Sequence, residues 1–251
     1  YKGHEIRIEL DECPPNPFED WDCEPPLAVF SEGITEYATQ YGNVNSAPHL
    51  TDAQIIENLA EVNEMIGKDT MVEALQEQQD GADFNEVINE HIREYLDDQY
   101  KTDRLQSLCS LYNMTGQPAL FKTIRGYSQG DQCEVLAVAT PEFQKACGNK
   151  EGYWDDPEKL RPSIDLFKAW CYGDVYGYVI STLDEDGESN DDSIESCWGY
   201  YGESDYCLEV ARKEVDGIIE AAKKSHFEKV KAWIRSKTPV QYRQPFVGEL
   251  V

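Results

Sequence analysis

The sequence predicts an α+β protein: a helical N-terminal half, antiparallel β-hairpins in the middle and a C-terminal helix. Three observations carry this. Apolar residues recur at helical spacing between Thr51 and Leu111. Two later stretches, 119–140 and 172–201, alternate like strands around short polar turns. Helical and strand-like segments are segregated instead of alternating, which argues against a parallel βαβ sheet.

The elements follow in order. HEIRIEL (His4 to Leu10) alternates and reads as an edge strand. The acidic CPPNPFEDWDCEPP after it is a loop by its prolines. Thr51 caps DAQIIENLAEVNEMIG, in which Ile55, Ile56, Leu59, Val62 and Ile66 make one apolar stripe. TMVEALQEQQD is a second helix, and DFNEVINEHIREYLDD a third that buries Phe84, Val87, Ile88, Ile92 and Leu96. A short helix near Pro162 to Trp170 separates the two hairpins. The last helix, from about Tyr206 to Ser225, continues or bends into HFEKVKAWIRSK, where Phe227, Val230 and Trp233 share a face and are expected to pack. Charge and periodicity divide the chain into an acidic, mainly helical region, 1–112, and an α+β region, 113–251, with two hairpins and a basic C-terminal helix.

Charge is the strongest signal. The 251 residues carry a net charge of -27, yet hydrophobic content of 40% and fifteen Tyr argue for a folded chain and not an acidic disordered tail. Between Ile8 and His91 the only Lys or Arg is Lys68. From Arg212 onward the sign reverses, through Lys213, Lys223, Lys224, Lys229, Lys231, Arg235 and Lys237. On the predicted helices Glu57, Glu61 and Glu64, then Glu73, Glu77 and Asp80, then Asp83, Glu86, Glu90, Glu94 and Asp97 oppose the apolar faces. Like-charge pairs four apart cost about 0.2–0.5 kcal/mol each. Stability alone would favour Glu-to-Lys pairs, so the field itself is expected to be useful.

Other classes are disfavoured. No apolar run approaches the ~20 residues of a membrane span, and no secretory hydrophobic segment opens the sequence. The eight cysteines are scattered without a Cys-x-x-Cys pair, which predicts reduced thiols and a cytoplasmic protein. No metal or other cofactor is expected: no histidine pair has ligand spacing, and TLDEDGESNDDS departs from the EF-hand pattern at both ends. That acidic stretch reads as a hairpin loop. The aromatic-glycine runs CYGDVYGYV and CWGYYG read as packing on a twisted sheet in preference to a stacking groove.

One motif points elsewhere. Gly126-Tyr127-Ser128-Gln129-Gly130 matches Gly-x-Ser-x-Gly, and this version resembles the nucleophile elbow of cutinases. It defines an alternative function, a serine hydrolase using Ser128 with His226 and Asp174. An elbow joins a strand to a helix, whereas CEVLAVAT downstream reads as a second strand. Ser128 is therefore expected to be a turn serine and the protein not to be an enzyme.

The ordered segments IRGYSQGDQCEVL, YGDVYGYVI and ESCWGYYG, spanning about Ala119 to Leu208, resemble a group of acidic proteins carried by phages and mobile elements. The resemblance transfers no activity, but it implies a counter-defence setting. In charge alone the chain is similar to DNA mimics that inhibit restriction enzymes or CRISPR effectors. A row of carboxylates at helical intervals imitates nucleic-acid phosphates, one charge per ~1.7 Å of duplex. The expected partner is a basic nucleic-acid-binding protein or complex, reached through Glu57, Glu61, Glu64, Glu73, Glu77, Asp80, Asp83, Glu86, Glu90, Glu94 and Asp97, with no direct binding of nucleic acid or membrane. A head-to-tail assembly of oppositely charged ends is a further alternative.

Overall fold

The computed structural model describes residues 1–20, 24–30, 43–127 and 131–238. It is an α+β protein of two compact units, one made of Tyr1–Asp11 with Val175–Val251 and the other of Glu12–Asp174. These packing units cut the chain elsewhere than the charge-based boundary at 112/113. The reason is topological: the first strand pairs with one encoded more than 160 residues later.

In the first unit, β1 (His4–Leu10), β5 (Val175–Leu183) and β6 (Ser189–Tyr201) form an antiparallel sheet in that order, so β1 is an edge strand as its alternation implies. Asp184 turns the β5–β6 hairpin, its carboxylate accepting from the amides of Asp186 and Glu188. The sheet buries Tyr178 and Ile180, with partly buried Ile6, Ile8, Tyr176 and Tyr200, against Cys207, Ala211 and Val215 of α9 (Ser204–Lys237). Trp198 of β6 lies across Gly177 of β5, where an added Cβ would come within 2.1 Å of the ring. That close approach explains the glycine in YGYV better than a stacking groove does.

α9 is one unbroken helix of 34 residues. Among the described residues its packing on the sheet runs no further than Ile219. The expected packing of Phe227, Val230 and Trp233 is therefore corrected: all three are exposed, because the described contacts of α9 with the sheet end at Ile219.

In the second unit, β2 (Leu27–Phe30), β4 (Asp131–Val138) and β3 (Ala119–Tyr127) form an antiparallel sheet with β4 central. Strand alternation sends side chains to opposite faces. Ala28, Leu136 and Val138 join a core with helices α2 (Asp52–Glu57), α3 (Leu59–Ile66), α4 (Lys68–Gln79), α5 (Phe84–Asp98) and α6 (Lys101–Met114). Leu27, Val29, Cys133, Val135 and Ala137 face the other way, onto Phe18, Phe143, Leu160, Ile164 and Phe167. Those partners come from α1 (Pro17–Asp20), α7 (Pro141–Cys147), a 3₁₀ turn (Pro157–Leu160) and α8 (Arg161–Tyr172). The unit is a three-layer sandwich.

Local chemistry sets the helix ends. Thr51 and Gln54 form a capping box at α2. Asn58 then interrupts the expected single helix, its amide donating to the Gln54 carbonyl at 2.8 Å. With the register broken, only Ile55 and Val62 of the five-residue stripe are fully buried, while Ile56 and Leu59 are exposed. Gly67, at φ +85, turns the chain from α3 into α4 in a conformation other residues adopt at a cost. The Pro-rich segment departs from a pure loop: Asn16 accepts from the Phe18 amide and starts the single helical turn of α1.

Candidate functional site

The candidate site is the acidic outer surface of α2–α5. On α5, Phe84, Ile88, Asn89, Ile92 and Leu96 are buried. At 100° per residue this places Glu86, Glu90, Glu94 and Asp97 on the opposite side. Asn89 pins the helix from beneath. Its side chain accepts from the Leu50 amide at 2.8 Å and donates to the carbonyls of Leu50 at 2.8 Å and Asn85 at 2.6 Å. On α4, burial of Met71 and Ala74 leaves Glu73 and Glu77 outside, with Asp80 as the C-cap. Val62 on α3 and Ile55 on α2 do the same for Glu61, Glu64 and Glu57.

All eleven expected partner-binding carboxylates are exposed. Their electrostatic situations differ. Asp83 caps α5, accepting from the Asn85 amide at 3.3 Å. Glu94 sits 3.3 Å from His91 Nδ1. Asp97 is paired with Arg104 at 3.1 Å, and that guanidinium also donates to the Asn45 carbonyl, so Asp97 is the most neutralised member of the set. Arg93 also lies on the outer side of α5, with its Nε turned back to the Asn89 carbonyl at 3.1 Å. Glu57, Glu61, Glu64, Glu73, Glu77, Asp80, Asp83, Glu86 and Glu90 form no ion pair among the described residues.

The α5 row spans eleven residue steps from Glu86 to Asp97, about 16 Å at 1.5 Å per step. Four carboxylates over that length, with Asp97 paired to Arg104 and Arg93 on the same side, are at most one charge per about 4 Å. A duplex carries one per ~1.7 Å and a single strand one per ~3.4 Å. The row is closer to one strand than to a duplex.

Sequence reasoning missed an open cleft of about 440 Å³ lined by α3, α5 and α6. Glu61 and Glu64 meet Asp103 there, with Met65 and Tyr95 as apolar lining and Gln99, Gln106, Ser107 and Ser110 as polar lining. An aromatic ring beside three carboxylates is suited to a cationic side chain. The polar stripe Gln99, Asp103, Gln106 and Ser110, at helical spacing, was its signal in the sequence.

The hydrolase residues fare differently. Ser128 lies outside the described residues, but the strands that bound it, β3 and β4, are antiparallel neighbours with a bulge between Arg125 and Tyr127. The connection runs strand to strand, and an elbow requires strand to helix. Asp174 is exposed after α8, and His226 is exposed on the distal half of α9.

Buried titratable groups lie elsewhere. Burial pushes the Glu134 carboxyl up, against a hydrogen bond from Thr102; one of its oxygens has no partner among the described residues. Burial pushes the Cys171 thiol up to about 12 and the Cys207 thiol to about 11, which keeps both protonated and unreactive. Among the described residues, no group of three or more His, Cys, Asp or Glu is placed to hold a metal ion, and no helix is long and apolar enough to cross a membrane. No protein-family model, curated protein or solved structure matches this chain.

Proposed function

We propose that the protein is a nucleic-acid mimic that occupies the basic channel of a DNA- or RNA-handling enzyme and blocks it, without catalytic activity of its own. One observation carries this reading: nine exposed carboxylates on four consecutive helices, none ion-paired among the described residues. Globular surfaces usually intersperse charges of both signs. Here fixed negative charge is held on a buried framework, so the target's lysines and arginines meet a preorganised counter-surface. The cleft beside Tyr95 suits one inserted cationic side chain. The charge spacing favours a channel built for a single strand. Such a protein acts as an anti-restriction or anti-CRISPR factor in the cytoplasm of a bacterial host.

The test is capture of host nucleic-acid enzymes by the full chain at low and high salt, with competing nucleic acid and a Glu86→Lys/Glu90→Lys/Glu94→Lys variant. A captured enzyme should be released by single-stranded DNA at lower concentration than by duplex, and lost in high salt and in the variant. An enzyme retained equally by the variant would sink the proposal.

A further inference from the structure

A second surface has the opposite character. Past Ile219, residues 220–237 of α9 extend about 27 Å beyond the sheet contact at 1.5 Å per residue. Phe227, Val230, Trp233 and Ile234 lie on one side of this stretch and are 39 to 63% exposed. Around them stand Lys223, Lys224, Lys229, Lys231, Arg235 and Lys237, opposed between Ala221 and Lys237 by Glu228 alone. Phe227, Val230 and Ile234 follow the i, i+3, i+7 spacing by which an amphipathic helix enters a groove. A clustered apolar face of this kind, left open, marks an interaction surface.

The acidic unit carries a matching groove. An open depression of about 330 Å³ lies between α2–α3 and α4, walled by Ile56, Leu59, Met71, Leu75 and Phe84. Ile56, Leu59 and Leu75 are 44 to 67% exposed. Its α4 wall runs from Met71 to Gln78, seven residues or about 10 Å, the same length as Phe227 to Ile234. Asp52 lines it; Glu61 and Glu73 lie on the far sides of α3 and α4, but the helical layer as a whole is acidic, with Lys68 the only Lys or Arg from Asp52 to Glu90.

We propose that the distal half of α9 docks by its Phe227–Val230–Ile234 row into the apolar groove between α2–α3 and α4 in the acidic helical layer of a second copy. The occupant is identified by complementarity in apolar character, length and sign of charge. The contact is heterologous, so each copy keeps one unused helix and one unused groove, and association proceeds head to tail. It does not depend on the mimic reading: Glu86, Glu90 and Glu94 do not line the groove.

Sedimentation velocity of the full chain from low micromolar to high micromolar concentration tests this. Wild-type protein should form species above 28.6 kDa that grow with concentration. Their affinity should fall roughly tenfold or more between 50 and 500 mM NaCl, as several exposed charge pairs are screened. Phe227→Glu/Trp233→Glu removes the helix face, and Leu59→Lys/Leu75→Lys removes the groove. All four positions are exposed, and circular dichroism checks that each variant folds. Each variant alone should stay monomeric, while their mixture, joining the intact helix of one to the intact groove of the other, should give a one-to-one dimer and nothing larger. A wild-type chain that remains at 28.6 kDa throughout overturns the proposal. So does association lost in the helix variant but kept in the groove variant, which would mean that α9 pairs with itself, and so does a mixture that fails to dimerise.

Discussion

Replacing Glu90 by Lys reverses the middle charge of the α5 row and separates the cost of the acidic field from its use. In wild-type protein Glu86–Glu90 and Glu90–Glu94 are like-charge pairs four apart, each costing about 0.2–0.5 kcal/mol. Glu90→Lys turns both into attractive pairs of similar size, a swing of about 0.8–2 kcal/mol. Arg93, three residues on, passes from attraction to Glu90 to repulsion from the lysine and takes back about 0.4–1 kcal/mol. The expected net gain is about 0.4–1 kcal/mol at low salt. Urea unfolding read by far-UV circular dichroism, with hydrogen exchange of the α5 amides, measures it. The gain should shrink by at least about half in 500 mM NaCl, where the screening length falls below the ~6 Å pair separation. Glu90→Gln, which only removes repulsion, should give about half the gain. The same change should weaken capture of the target, so stability and binding move in opposite directions. If Glu90→Lys leaves stability unchanged or lowers it at low salt, the row is not electrostatically strained and the argument that its field is retained for a partner fails.

Three further outcomes follow from the structure. Asn89→Ala deletes three hydrogen bonds and strands the buried amide and carbonyl of Leu50, for an expected loss of about 2–3 kcal/mol in urea unfolding; a loss below about 0.5 kcal/mol would remove Asn89 as the pin beneath α5. Glu134 has a folded pKa raised by burial, so the folded state holds its proton more tightly than the unfolded one. Its contribution to stability should be full below the ordinary glutamate value of about 4.5 and be lost as pH rises through the raised value, so the advantage of Glu134→Gln over wild type should grow with pH and be largest near pH 7, as urea midpoints across this range will show. Gly177→Ala would set a Cβ 2.1, 2.4 and 2.8 Å from ring atoms of Trp198 and should cost about 1–3 kcal/mol; most of this should return when Trp198 is also made Ala.

The helical character of Thr51 to Leu111 was legible because core residues at 3.6 spacing and a capping Thr51 are local signals, although the break at Asn58 was not. The eleven carboxylates were legible for the same reason, since exposure is the complement of that spacing. Leu27–Phe30 was not: four apolar residues carry no period, and they become a strand because β4, a hundred residues later, supplies the ladder. The packing units were not legible either, because β1 belongs with β5 by pairing and not by composition. Phe227, Val230 and Trp233 show the remaining limit. Spacing says which residues share a face, and says nothing about whether a neighbour is present to cover it.

The anchoring of α9 has a thermal consequence. Starting a helix is its unfavourable step, with a nucleation constant of order 10⁻³, while each later residue adds a hydrogen bond for little cost. Cys207, Ala211 and Val215, clamped on the sheet, hold the start permanently formed. In the unassociated chain the overhanging turns therefore only elongate, and on warming they are expected to unwind gradually from Lys237 inward, before the packed layers melt. Trp233 and Ile234 leave helical register first and Ile219 last, so the length of the rod is itself a graded function of temperature.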